Sequence, residues 1–180
     1  MGLKICATGD LMLLSDFPAS YDYIKIADII KQNDVRLTNL ESVVSDWNCY
    51  ASTFCGGQWI NTEPDRMEDV KKFGFNIYSC ANNHSMDYSF EGVLSTKKVL
   101  EQKGMPYAGI GLSLKEAAAP AYLSIPEKNI KVALISVTST FIDAARAGDE
   151  KDGIPARPGV NPLRVQTKYK VSGIHYEQLK

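Results

Sequence analysis

The sequence predicts an α/β fold with a largely parallel sheet and an added antiparallel part. Short apolar runs alternate with helix-period segments as far as Ile110, and two further apolar runs then follow one another across a Pro-Glu-Lys-Asn turn. Three of the runs also end in polar residues: Gly9-Asp10, Asn39-Leu40-Glu41 and Asn82-Asn83-His84. In open α/β sheets chemistry collects beyond the carboxyl ends of strands, so these ends are expected to converge on one site.

Leu3 to Ala7 reads as a first strand, buried on both faces because it lacks polar alternation, and ended by Gly9-Asp10. Over residues 21–32, Tyr23, Ile26, Ile29 and Ile30 form the stripe of an amphipathic helix, stopped by Asn33-Asp34. Val35 to Leu40 is the second strand. From Ser42 to about Thr62 runs a polar loop too long for a plain connection, and such loops are usually functional. Pro64 opens a short helix with Met67, Val70 and Phe73 on one side and Gly74 at its end.

The strand Ile77 to Ala81 is followed by a helix marked by Phe90, Val93, Leu94 and Leu100 and closed by Gly104. Tyr107 to Ile110 is a short strand, and Ser113 with Glu116 forms a capping box for a helix that Pro120 stops. Ala121 to Ile125 and Lys131 to Val137 pair as a hairpin. The stretch 143–165, rich in Gly, Pro and charge, reads as an extended loop, and a new helix opens near the last residues.

With 180 residues and 44% hydrophobic content, one well-buried domain over 1–180 is expected. A formal charge of -1 gives no electrostatic reason to expect nucleic acid or anionic lipid. No apolar stretch approaches the roughly 20 residues that cross a bilayer. Met1 to Lys4 leads into a strand rather than a signal peptide, so the chain reads as soluble and, by default, cytoplasmic. Cys6 and Cys80 fall in strands expected to be buried. Cys49 and Cys55 share a polar loop, where reduced thiols are expected in the absence of a secretory signal.

Asp10 reads as a metal ligand at a strand end or as a turn residue. Glu41, directly after a buried strand, needs a cation, a salt bridge or hydrogen-bond donors to offset burial. Asn83 supplies a hard amide oxygen beside His84, an imidazole suited to metal binding or proton transfer near neutral pH. Asn82 and Asp87 read as supporting groups. Asp87 either fixes the His84 tautomer or caps the helix near Ser89. His175 has no ligand-type neighbours and is assigned to the surface. Gly109-Ile110-Gly111 lacks the third glycine of a dinucleotide fingerprint, and neither a phosphate-cradling Gly-Lys-Ser loop nor a nucleophile elbow occurs.

The order Gly9-Asp10-Leu11-Met12, Asn39-Leu40-Glu41, Ala81 to Tyr88, Glu91-Gly92, Thr96 and Gly109-Ile110-Gly111, with Arg157-Pro158-Gly159-Val160-Asn161-Pro162-Leu163-Arg164, resembles the CapA family of bacterial capsule and poly-γ-glutamate synthesis proteins. The likeness runs over nearly the whole chain, and its Asn-Asn-His-x-x-Asp block is fairly specific. That family is similar to calcineurin-like metallophosphoesterases, which implies a four-layer αββα sandwich holding two divalent ions (Mn, Fe or Zn). By this resemblance Asp10, Glu41 and Asn83 would be metal ligands and His84 the histidine that protonates a leaving group or steadies a phosphoryl oxygen, with water as nucleophile and a phosphoester or polyanionic polymer as substrate.

The family's later Gly-His-x-His motif does not occur before Lys180. The resemblance therefore implies an amino-terminal portion with an incomplete metal site, inactive by itself, and a half-sandwich whose exposed face would form a homodimer. A non-catalytic module that binds a polymer or partner during capsule assembly is the alternative, and cell-envelope association is a family expectation.

Overall fold

The computed structural model describes residues 2–18, 21–55 and 57–178. Four parallel strands form its main sheet: β1 (Ile5–Leu11), β2 (Val35–Leu40), β5 (Ile77–Ser79) and β6 (Tyr107–Ala108), in the order β1-β2-β5-β6. Between them run helices α1 (Ile24–Lys31), α2 (Met67–Lys72, entered through a 3-10 turn at Pro64–Arg66) and α3 (Ser89–Gln102). Strands added one after another in a single direction, through right-handed crossovers, place every connecting helix on the same face.

The packing agrees. Leu40, Met67, Val70, Tyr78, Val93 and Leu100 share one buried cluster with Phe75 at its margin, and Phe75 also borders a second cluster of Ala27, Ile30 and Phe73. Each fully buried aliphatic side chain in these clusters contributes about 1.5–3 kcal/mol.

This one-sidedness corrects the expectation for the first strand. β1 is an edge strand, longer than the sequence implies, and Ile5 is 59% exposed. Cys6, expected to be buried, is only half-buried against the smaller cluster. Gly9-Asp10 does not end β1. The register with β2 shifts between Ala7 and Asp10, so the pair sits at a bulge inside the strand, with Asp10 opposite Asn39.

α1 forms where predicted but turned about its axis. Tyr23, Ala27 and Ile30 face the core, while Ile26 and Ile29 face solvent. The same occurs in α3, where Val93 and Leu100 are buried and Phe90 and Leu94 stay exposed.

The long polar loop is bounded by two short strands that pair in parallel, β3 (Val43–Val44) and β4 (Asn61–Thr62). After β6 the chain breaks at Gly109 (φ 109°) into β7 (Ile110–Gly111). α4 (Leu114–Ala117) then starts as predicted, with the Ser113 hydroxyl accepting from the Glu116 N–H at 3.2 Å.

The predicted hairpin is β8 (Ala121–Ile125) and β9 (Ile130–Leu134), turned through Asn129 in the left-handed region. Lys128 Nζ fastens its tip, donating to Gly2 O at 2.7 Å and to Asp34 Oδ2 at 2.5 Å. The 143–165 stretch is not all loop. It contains a 3-10 turn and β10 (Gly159–Val160), which pairs antiparallel with β7. A final helix, α5 (Gly173–Glu177), includes His175, which is exposed as expected, while Leu179 and Lys180 lie outside the described residues. No described helix is long and apolar enough to cross a membrane. The whole is a mixed α/β arrangement, mostly parallel with antiparallel hairpins, in the manner of a partial sandwich.

Candidate functional site

β5 leads into a turn that its own polar side chains hold in shape. Ser85 Oγ donates to Cys80 O at 2.6 Å and accepts the Asn82 N–H at 3.1 Å. The Asn82 carboxamide is committed at both ends. Its Oδ1 accepts the His84 N–H at 3.0 Å, and its Nδ2 donates to Leu40 O at 2.8 Å and to Asn39 Oδ1 at 3.1 Å. Asn39 in turn donates from Nδ2 to Asp10 Oδ1 at 2.8 Å. One relay of amides therefore connects the ends of β1, β2 and β5.

The imidazole is held just as firmly. His84 Nδ1 lies 2.7 Å from Asp87 Oδ2, and that same oxygen accepts the Ile60 N–H at 2.8 Å. An oxygen already accepting one bond accepts the second, so the proton is on Nδ1 and Nε2 is left for other work. Asp87 is fully buried with Oδ1 unpartnered. Burial pushes its carboxyl above the ordinary range, opposed by the bonds from His84 and Ile60. Of the two readings for Asp87, the geometry favours the one that orients His84.

The acidic residues at the β1 and β2 tips sit on neighbouring chain ends, where the Glu41 N–H donates to Leu11 O, directly after Asp10, at 3.1 Å. The bond from Asn39 and, after it, the neighbouring Glu41 carboxyl hold Asp10 below the ordinary carboxylate range. Glu41 is pushed up, first by burial and then by Asp10 beside it.

Asp10, Asn39, Asn82, His84 and Asp87 thus belong to one hydrogen-bonded group, and Glu41 follows Leu40, whose carbonyl accepts from Asn82. Asn83 stands slightly apart, half-buried on the wall of a cleft with Phe54 and Phe141 and without a side-chain bond to any described residue.

Three contributors escaped the sequence reading of the site. Asn39 was visible only as part of a strand end, yet it links Asp10 to Asn82. Ser136 Oγ lies 2.8 Å from Ser79 Oγ and accepts the Ala81 N–H at 2.9 Å, bracing the turn from beyond β9. Gly109 lets the chain pass under that turn, since a Cβ there would sit 2.5 Å from Ser136 Oγ and 2.6 Å from Ala81 N. Only the isolated Gly-Ile-Gly hinted at this.

Other quoted residues prove to be scaffold. Thr96 Oγ1 accepts the Val44 N–H and donates to Gly92 O, both at 2.8 Å, and Gly92 lies against Val43. In the Arg157 to Arg164 stretch, Asn161 donates from N to Gly109 O at 2.8 Å and from Nδ2 to Ser136 O at 2.9 Å.

Residues 4–177, including every one of these groups, match the family described as bacterial capsule synthesis protein PGA_cap. The chain belongs to that family. Among curated relatives, the protein y4sH of Sinorhizobium fredii is 32% identical over 99% of this chain and 40% of its own length, and y4uA of the same organism matches to the same extent. The capsule biosynthesis protein CapA of Bacillus anthracis is 28% identical over 84% of this chain and 38% of its own length. This PGA_cap chain therefore spans about 40% of the length of the relatives it matches.

The donor chemistry suits a hard or borderline divalent cation. Neighbouring carboxyls repel less when a cation lies between them, and among the described residues the Asn83 amide and His84 Nε2 carry no side-chain hydrogen bond. The set is partial, since no group of three or more His, Cys, Asp or Glu forms a metal-ligating cluster among the described residues.

Proposed function

We propose that this chain carries the catalytic half-site of a metal-dependent, phosphoesterase-like hydrolase acting in capsule or poly-γ-glutamate biosynthesis. The supporting observation is the buried His84–Asp87 pair, 2.7 Å apart, on the turn that Asn82 and Asn39 tie to Asp10. Asp10 and Glu41, with the amide of Asn83, would hold the divalent ion. Bound there, the ion would lower the pKa of a water and polarise the oxygens of the reacting group.

The remaining roles fall to the chain's own side chains. Asp87 keeps the His84 proton on Nδ1 and fixes the ring, which leaves the Nε2 lone pair for the reacting group. Protonated at Nε2, His84 donates to the departing oxygen and is left neutral, with Asp87 having steadied the cation meanwhile. Asn39 and Asn82 hold the three strand ends in register, which is the positional demand of such a step.

A second reading, a polymer- or partner-binding module, is favoured by the partial ligand set. Metal content and turnover separate the two. The hydrolase reading expects stoichiometric manganese, iron or zinc and turnover of a generic phosphoester that is lost in Asp10→Asn and His84→Gln. Turnover undiminished in His84→Gln would sink it, and a metal-free chain that binds polymer equally well with Asp10→Asn would establish the module.

A further inference from the structure

Two cavities of ≈ 240 and ≈ 260 Å³ open beside the polar centre and share Phe54, Met86, Ile142 and Ala145, so they form one cleft with two lobes. Together they reach the size range of small-molecule sites, about 300–1,000 Å³. Phe90 closes one end and Phe141 the other, where Asn82 and Asn83 complete the wall. Among the described residues no Asp, Glu, Lys or Arg lines either lobe.

The outer wall is anchored to the catalytic turn. Ser52 N donates to Asp87 O at 2.8 Å, Trp59 Nε1 donates to Ser52 O at 2.9 Å, and Ile60 N reaches Asp87 Oδ2. Phe54, 63% exposed, is carried between these points. The opposite wall is fixed through Thr138, whose N–H donates to Asn161 O at 3.1 Å, and through Ala147, whose N–H donates to Val160 O at 3.0 Å.

We infer that this cleft is a substrate subsite for an uncharged, hydrocarbon-rich group, an aryl ring or alkyl chain, carried directly on the reacting phosphoryl centre. The inference rests on the hydrolase reading above and names the substrate class for that site. A group lying in the cleft reaches Asn83, the residue before His84 and one of the ligands proposed above. Charge decides its nature. A polyanion would leave its carboxylates against an apolar wall with no cation to pair them, which is costly, whereas an apolar arm gains by burial.

The test uses the full chain and the uncharged fluorophore N-phenylnaphthylamine. Saturable binding is expected, displaced by octyl phosphate at concentrations where glycerol phosphate has no effect. Phe54→Ser and Ile142→Asn should each weaken it about tenfold or more. Phe54→Leu should retain it, and circular dichroism checks that the variants fold. His84→Gln should leave fluorophore affinity unchanged. Absent saturable binding, affinity equal in both polar variants, or equal displacement by glycerol phosphate would overturn the subsite. Binding with the expected pattern but no phosphoester turnover would sink the hydrolase reading and leave the cleft's preference for apolar groups standing.

Discussion

The turn after β5 and the tip of β1 carry similar-looking polar residues at strand ends, yet they are built in opposite ways. In the turn, Asn82, Ser85 and Asp87 are buried and bonded on several sides, and the backbone beneath is braced by Ser136 and Gly109. At the tip of β1, Asp10 is exposed on an edge strand, and among the described residues its side chain is held by one hydrogen bond, from Asn39. A strand covered on both faces can impose geometry on its end. An edge strand covered on one face leaves its carboxylate free to meet a ligand. Rigidity on one side of the site and access on the other are therefore consequences of sheet order.

The largest expected effect is at the rigid end. Asp87→Asn frees the His84 ring and tautomer, and phosphoester turnover should fall about 10²- to 10⁴-fold, the usual worth of a positioned acid or base. Steady-state kinetics beside a thermal melt reads this, and an unchanged rate would break the contrast.

Leu100→Ala, in the core behind the turn, should cost about 2–5 kcal/mol in urea unfolding. Gly109→Ala drives a Cβ into Ser136 and Ala81 at a φ that disfavours side chains, for about 1–3 kcal/mol of overpacking. Its melt should drop, and the amide signal of Ala81 should shift in NMR spectra.

At the open end the effect is smaller and depends on pH. Glu41 has a raised pKa when folded, so its contribution to stability is intact below its unfolded pKa and is lost as pH rises through the folded value. Glu41→Gln should therefore melt higher than the parent at neutral pH, with the gap closing toward pH values of about 4. A gap that widens on acidification would reverse the direction of the Glu41 shift. Smallest of all, Ile5→Ser on the exposed face of β1 should lie within about 0.5 kcal/mol of the parent.

Much of this was legible in the residues. Local signals carried the succession of strands and helices, the Ser113 cap and the 121–134 hairpin, because each rests on contacts within a few positions. The Asn82-Asn83-His84 turn was legible for the same reason. What sequence could not convey was which face of an element would be covered. Ile26 and Ile29 are as apolar as Ile30, and only the sheet order turns them outward. Buried-looking β1 failed on the same ground. Asn39, Ser136 and Gly109 matter through partners far along the chain, and no periodicity marks such pairings.

The bracing of the turn after β5 by Ser136 and Asn161 has a consequence for how the protein is made. His84 and Asp87 are three positions apart and can meet as soon as they leave the ribosome, but Ala81 and Gly109 wait for partners 55 and 52 residues downstream, respectively. Translation delivers the His84–Asp87 pair first and its buttress last, so the turn acquires its final geometry only after the segment around Asn161 has docked.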